Sequence, residues 1–170
     1  RIFMDNIVLI GYFVSLSILF IFGLHGFILL YYHRKYKDVN FDTAKEFDEI
    51  PLVTIQLPLY NELYVVERLI DKVCEIEYPK ERLEIQVLDD STDETVGVVA
   101  EVVGKKKLEG FNIEHIRRNN REGFKAGALK EGLKIASGDY VAIFDADFIP
   151  HSDFLKKTLK FFTDEKIGMV

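Results

Sequence analysis

An unbroken apolar stretch lies near the beginning of the chain. Residues 7–32 contain no Asp, Glu, Lys or Arg, and as a helix they would span roughly 39 Å at about 1.5 Å per residue. That length crosses a hydrocarbon core of about 30 Å, whereas a buried helix of a soluble protein or a cleaved signal peptide has a shorter apolar core. Basic residues follow at positions 33, 34, 35 and 37, which marks the cytoplasmic end of a span. The pattern predicts a transmembrane helix in residues 1–35 with a basic cytoplasmic flank.

The pattern changes after a polar and acidic segment at residues 36–50, which we interpret as a juxtamembrane linker. From residue 51 onward, short apolar runs alternate with longer amphipathic stretches. This alternation predicts βαβ units and an α/β fold with a mostly parallel, open sheet. We expect residues 51–170 to be the N-terminal part of a larger, here incomplete, domain. The predicted strands are 53–58, 84–90, 112–118, 140–147 and a fifth that begins at 167; the predicted helices are 63–76, 91 to about 107, 124–136 and 152–163.

Composition and charge narrow the possible functions of the chain. Its 170 residues are 48% hydrophobic and include only 4 Pro and 11 Gly, which excludes a disordered or collagen-like chain. The formal net charge of −6 argues against a nucleic-acid partner, because phosphate binding needs a basic face. The single cysteine, Cys74, excludes a disulfide framework and a cysteine-rich zinc site.

Polar side chains follow each predicted strand. Parallel sheets bind ligands beyond the carboxyl ends of their strands, so residues in these positions are expected to meet at one edge of the sheet. The candidates that follow the four strands are Tyr60 and Glu62, Asp89 and Asp90, Lys125, and Asp145 and Asp147.

The pair of carboxylates at positions 145 and 147 is the most specific of these signals. Residues i and i+2 of a strand point to the same side, so Asp145 and Asp147 would face one ion. Carboxylate oxygens with open coordination positions suit Mg²⁺ or Mn²⁺, which also bind phosphate. The alternative is that both residues are solvated turn or helix-capping residues.

The other candidates match the parts of a nucleotide. Lys125 opens a helix, and a cation at a helix N-terminus suits a diphosphate. Asp89 or Asp90 would accept hydrogen bonds from a base or ribose, although Ser91 to Glu94 also fit a capping box for the next helix. Tyr60 offers a ring that can stack on a base whose edge Glu62 would contact; the alternative is an ordinary turn with a first-turn acid.

Four segments of the sequence resemble a known family. The chain is similar to family 2 glycosyltransferases of the GT-A fold. More narrowly, it resembles membrane-embedded processive β-glycan synthases of the cellulose synthase-like group, in particular mannan and glucomannan synthases, over about residues 48–170. The segments that carry the resemblance are PLYNE at 58–62, QVLDDSTDET at 86–95, REGFKAGALKEGLK at 121–134 and YVAIFDADFIP at 140–150.

The resemblance implies an activity and roles for the candidate residues. A hexose would be transferred with inversion from a nucleotide diphosphate sugar, UDP-glucose or GDP-mannose, to a growing β-glycan at the cytoplasmic face of a membrane. Mg²⁺ or Mn²⁺ would stabilise the diphosphate leaving group. The donor-binding residues that it implies are Tyr60, Glu62, Asp89, Asp90, Lys125 and Asp145, with Asp145 and Asp147 as the metal ligands.

Two family motifs are not present in the sequence. The catalytic base, an Asp in a T/S-E-D motif, and the Q-x-x-R-W motif that binds the polymer end are expected downstream of Val170. We therefore expect no catalytic residue in this chain and no sugar transfer by this chain alone. Two alternatives stay open: a non-processive transferase with a glycolipid or polyprenyl-phosphate product, and a membrane-anchored nucleotide-binding module without turnover. Either transferase would take a glycan or lipid-linked acceptor.

Overall fold

The computed structural model describes residues 2–37 and 47–170. The chain divides into two compact units, Arg1–Thr43 and Ala44–Val170. Most of the predicted linker, residues 38–46, lies outside the described residues. The domain limits at positions 35 and 50 therefore stay predictions.

The first unit contains one long helix, α1, which runs from Ile2 to Tyr36. Residues 6–36 are long and apolar enough to cross a membrane, with a mean hydropathy of 2.6 in the most apolar window. The hydroxyl groups of Ser15 and Ser17 donate to the carbonyl oxygens of Gly11 and Phe13, four residues earlier, at 2.9 and 2.8 Å. These bonds satisfy polar groups within the helix itself, as an apolar surrounding requires.

The second unit alternates strands and helices, as the sequence predicts. Its helices have their apolar side chains at helical spacing: in α2, the buried residues are Val66, Leu69, Ile70 and Val73, which form one face. The elements are β1 (Val53–Leu59), α2 (Val66–Cys74), β2 (Leu83–Asp89), α3 (Thr95–Leu108), β3 (Asn112–Ile116), α4 (Phe124–Ile135), β4 (Tyr140–Ile143) and α5 (Phe154–Leu159), with short 3-10 turns at Lys80–Arg82 and Lys160–Thr163.

The four described strands form one parallel sheet in the order β3-β2-β1-β4. Val53 pairs with Leu83 at the start of β1 and β2, and Leu59 pairs with Asp89 at their ends. β4 pairs with the other side of β1, and β3 pairs with β2. Because all strands are parallel, the loops that follow them leave the same edge of the sheet. The prediction of a mostly parallel α/β sheet is confirmed.

The two faces of the sheet differ in polarity. Alternate residues of β1 and β2, such as Ile55, Leu57 and Ile85, are buried in the core together with apolar residues of α2, α3 and α5. Of the intervening residues, Thr54, Gln56 and Gln86 form a buried polar layer, in which the Gln56 side-chain amide donates to Gln86 Oε1 at 2.9 Å. Helix α4 lies against this layer, with Gly132 next to both glutamines, so the helix that carries Lys125 packs on polar groups.

Three predicted local features are wrong. The fourth strand ends at Ile143 and does not reach 147, and residues 167–170 form no strand. The capping box is also wrong, because α3 begins at Thr95 without a side-chain cap. Ser91 Oγ instead accepts a hydrogen bond from the backbone N–H of Asn61 at 2.9 Å. A tertiary contact between two loops therefore takes the hydroxyl group that the capping box needed.

Candidate functional site

A cleft of about 500 Å³ opens at the carboxyl edge of the sheet. It is walled by the loops that follow β1, β2, β3 and β4 and by the first turns of α4. Six of the seven predicted site residues line it: Tyr60, Glu62, Asp90, Lys125, Asp145 and Asp147. Four separate segments of the sequence thus converge on one cavity.

The loop after β1 is fixed by its asparagine. Asn61 has a φ of +56°, a left-handed conformation that Asn tolerates better than most residues. Its backbone N–H donates to Ser91 Oγ, and its side-chain oxygen accepts the N–H of Thr92, both at 2.9 Å. These bonds tie the loop after β1 to the loop after β2, and they hold Tyr60 and Glu62 at the cleft.

Asp89 is buried behind the cleft and does not line it. Its Oδ1 accepts the N–H of Ser91 at 2.9 Å, and the His115 Nε2–H donates to Oδ2 at 2.8 Å. Burial raises the pKa of this carboxyl group, but the hydrogen bonds from His115 and Ser91 outweigh it, so the pKa lies below its ordinary value. In this structure Asp89 stabilises the loop after β2 from the protein interior.

Asp90 lines the cleft and is held by an arginine. The guanidinium group of Arg118 donates from Nε to Oδ1 at 2.7 Å and from Nη2 to Oδ2 at 2.6 Å. A two-pronged pair of this kind is stronger and more directional than a single ion pair. It also compensates the charge of Asp90 next to Asp89, which two neighbouring carboxylates require.

A second arginine covers the ring of Tyr60. The Arg121 guanidinium carbon lies 3.2 Å from the ring centroid, which is a close cation–π contact. Tyr60 is 40% exposed, and this contact occupies one of its faces. A base that stacks on that face must displace the Arg121 side chain.

Lys125 is presented by a left-handed turn at the start of α4. Gly123 has a φ of +70° and Phe124 a φ of +50°. The Lys125 ammonium group forms an ion pair with Asp145, although 53% of the lysine side chain and 57% of the aspartate side chain remain exposed. The sequence predicted both residues for a diphosphate and its metal, and the structure brings them into direct contact.

Asp145 and Asp147 follow β4 in a turn, so the strand argument for their alignment is wrong. The N–H of Phe148 donates to the carbonyl oxygen of Asp145 at 3.0 Å, and this turn brings both carboxylates to the cleft. Among the described residues, no group of three His, Cys, Asp or Glu side chains is placed to hold a metal. Two carboxylates fit a hard divalent cation that takes its remaining ligands from phosphate and water.

Sequence reasoning missed Asn61, Arg118 and Arg121 at this site. Asn61 lies inside the PLYNE segment, and its pairing with the loop after β2 is a tertiary contact. The two arginines belong to a polar run after β3, where the pattern does not distinguish solvated charges from structural ones. The partners of these arginines follow neighbouring strands, and only the three-dimensional structure shows which side chains they contact.

Comparison with a family model identifies most of the second unit. The model described as glycosyl transferase family 2 matches residues 54–170, and this range contains every residue that lines the cleft.

Several curated relatives of the chain come from plants. The chain is 44% identical over 131 residues to glucomannan 4-beta-mannosyltransferase 9 of Arabidopsis thaliana. This match covers 75% of this chain and 25% of the relative. It is 40% identical over 146 residues to glucomannan 4-beta-mannosyltransferase 1 of Cyamopsis tetragonoloba, covering 81% of this chain and 28% of the relative. The chain therefore spans about a quarter of the length of these relatives.

Solved structures agree on the fold. The mannosyltransferase PcManGT from Pyrobaculum calidifontis, solved with GDP-Man and Mn²⁺, has a TM-score of 0.70 and 33% identity, covering 82% of this chain and 41% of that chain. S. aureus TarS 1-349 in complex with UDP has a TM-score of 0.57 and 24% identity, covering 68% of this chain and 33% of that chain, and this likeness concerns the fold alone.

Proposed function

Because the chain belongs to glycosyl transferase family 2, we propose that its cleft binds a nucleotide diphosphate sugar together with a divalent cation. This would be the donor half of an inverting hexosyltransferase that extends a β-glycan. The observation that carries the proposal is the convergence of an aromatic ring, a lysine and two carboxylate groups in one cleft at the carboxyl edge of the sheet.

GDP-mannose is the donor that we propose first, with UDP-glucose as the alternative. The plant relatives are named as glucomannan 4-beta-mannosyltransferases, and PcManGT was solved with GDP-Man. A glucomannan contains both mannose and glucose, so a comparison of the two donors is part of the test.

Each side chain of the cleft has a role in this proposal. Tyr60 stacks on the base, and Glu62 and Asp90 accept hydrogen bonds from the base or ribose, since carboxylates are acceptors. Lys125 leaves its pair with Asp145 and binds the diphosphate. Asp145 and Asp147 hold Mg²⁺ or Mn²⁺, which when bound stabilises charge on the diphosphate leaving group.

Asp89 acts from behind the cleft in this proposal. Its side chain is 0% exposed and does not line the cleft, so its contribution is to hold the loop after β2 in place through its bonds with His115 and Ser91. The family resemblance assigns Asp89 to the nucleoside, and a contact of that kind would need the aspartate to leave these partners.

We place the cleft on the cytoplasmic side of a membrane. Helix α1 has the length and composition of a membrane span, and its last turn contains His33, Arg34 and Lys35. Basic residues at one end of a span favour the cytoplasm.

Nucleotide binding to this chain in detergent micelles tests the donor site. Calorimetric titrations with GDP and UDP, both with Mn²⁺, should give the tighter binding for GDP. Tyr60→Ala should weaken GDP binding by about 2- to 30-fold, because base stacking contributes about 1–3 kcal/mol and the contact with Arg121 offsets part of it.

Tyr64→Ala is the matched control. Tyr64 is four residues away and 95% exposed, so its removal should leave GDP binding unchanged. Equal losses in both variants, or no GDP binding by the unmodified chain, would contradict the proposal. Incorporation of radiolabelled sugar by membranes that contain the complete protein, with GDP-mannose compared against UDP-glucose, then tests transfer and separates polymer from single-sugar lipid products.

A further inference from the structure

Arg118 makes more hydrogen bonds than compensation of the Asp90 charge requires. Its Nε and Nη2 donate to the Asp90 carboxylate, as described above. In addition, Nη1 donates to the carbonyl oxygen of Glu122 and Nη2 to that of Phe124, both at 2.7 Å. The side chain is only 14% exposed; its bonds to Asp90 are partly buried, and its bonds to the two carbonyl oxygens lie at the surface.

Arg118 joins Asp90, which lines the cleft, to the turn that precedes Lys125 on another side of the cleft. Asp90 follows β2 and is 6% exposed. Glu122 and Phe124 flank Gly123, and together they form the turn that presents Lys125. One guanidinium group therefore connects the wall that would contact the nucleoside with the turn that would contact the diphosphate.

The turn needs such a connection because its backbone is strained. Gly123 and Phe124 both have positive φ, and a bulky residue in the left-handed region persists only when its surroundings hold it there. Gly127 leaves space for the Arg118 side chain, which we call the brace, since a Cβ at this position would lie 2.5 Å from Arg118 Nη1. Lysine could not replace the arginine, because its three donors share one nitrogen and lack the planar fork that reaches four acceptor atoms at once.

We propose that Arg118 is a positioning residue that sets the distance between the nucleoside-binding and diphosphate-binding halves of the donor site. The identity of the ligand rests on the proposed function. The hydrogen bonds of Arg118, in contrast, are present in the protein without ligand. Both parts can be measured separately.

The first measurement needs no ligand. Hydrogen exchange of the Phe124 and Gly127 amides, which donate to the carbonyl oxygens of Arg121 and Gly123, should be at least about tenfold faster in Arg118→Lys. Arg117→Lys is the control, because Arg117 donates to Ser91 O and does not contact the turn. Unchanged exchange in Arg118→Lys, or the same increase in both variants, would overturn the proposal.

The second measurement uses three probes with Mn²⁺: guanosine, pyrophosphate and GDP. In Arg118→Lys, guanosine and pyrophosphate should each bind within about threefold of the unmodified chain, whereas GDP should weaken about tenfold, because only GDP must engage both halves at once. A purely structural role would weaken all three probes by the same factor, and that result would overturn the proposal.

Two other results, the absence of GDP binding and the failure of Arg118→Lys to fold, also have defined consequences for the proposal. If the unmodified chain binds no GDP, the proposed function is wrong, and the exchange rates alone decide whether Arg118 is a brace. If Arg118→Lys does not fold, Asp90→Asn removes the ionic anchor of the same fork and should still accelerate exchange at Phe124 and Gly127; normal rates there would overturn the proposal.

Discussion

Substitution of Lys125 by methionine gives the most specific prediction for the donor site. Methionine keeps the length and most of the apolar stem of the side chain and removes its charge. In the protein without ligand, Lys125 pairs with Asp145 where both side chains are about half exposed. Such pairs contribute at most about 1 kcal/mol, so the free energy of unfolding should fall by less than about 1 kcal/mol.

The effect on diphosphate binding should be larger than the effect on stability. A hydrogen bond between two charged groups contributes about 1.5–3 kcal/mol, and the loss of up to about 1 kcal/mol from the Asp145 pair offsets part of it. The remaining free energy of about 0.5–2 kcal/mol corresponds to about 2- to 30-fold weaker binding of GDP. Guanosine has no phosphate group and should bind Lys125→Met as tightly as it binds the unmodified chain.

Isothermal titration calorimetry with GDP and with guanosine measures both affinities. Lys134→Met is the matched control, since Lys134 lies on the same helix, is 59% exposed and pairs with Glu131. It should not change either affinity. If Lys125→Met weakens guanosine and GDP by the same factor, or if Lys134→Met weakens GDP as much, Lys125 does not act on the diphosphate.

Three other variants test the surroundings of the cleft. Arg121→Ala should tighten guanosine binding by about two- to fivefold, because the cation–π contact that covers the Tyr60 ring is lost; weaker binding would contradict this competition. Asp89→Asn should lower the free energy of unfolding by about 2 kcal/mol at pH 7. The pKa of Asp89 in the folded protein lies below its ordinary value of 3.8. Its contribution to the free energy of unfolding is therefore fully present above pH 3.8 and is lost as the pH falls through the folded pKa. The unfolding free energies of the variant and the unmodified chain should thus converge in acid. Gly127→Ala should weaken GDP binding, since its Cβ would collide with the carbonyl oxygen of the preceding turn; Gly104→Ala in α3, which has open space around it, should instead be neutral or stabilising.

The parallel sheet and the position of the cleft follow from rules that act along the chain. Apolar runs that alternate with amphipathic stretches predict a parallel sheet, and parallel strands place their carboxyl ends on one edge. That reasoning led from separate segments to Tyr60, Lys125 and Asp145, which line one cleft in the structure. It needed no knowledge of which strands are neighbours.

The local errors arise where a tertiary contact overrides a sequence signal. Ser91 has the spacing of a helix cap, but the Asn61 backbone takes its hydroxyl oxygen. β4 pairs with only the first half of β1 and ends at Ile143, so Asp145 reaches the cleft through a turn. Arg118 could not be singled out because its carboxylate partner, Asp90, comes from the loop after β2.

The binding of GDP at increasing Mn²⁺ concentration tests the central claim most directly. For the unmodified chain, Mn²⁺ should tighten GDP binding at least about tenfold, whereas in Asp147→Asn this gain should be lost and the affinity without metal should be retained. Asp164→Asn, an exposed carboxylate outside the cleft, should keep the full gain. If Mn²⁺ tightens GDP binding equally in Asp147→Asn and in the unmodified chain, the cleft does not hold the metal and the account of the donor site is wrong.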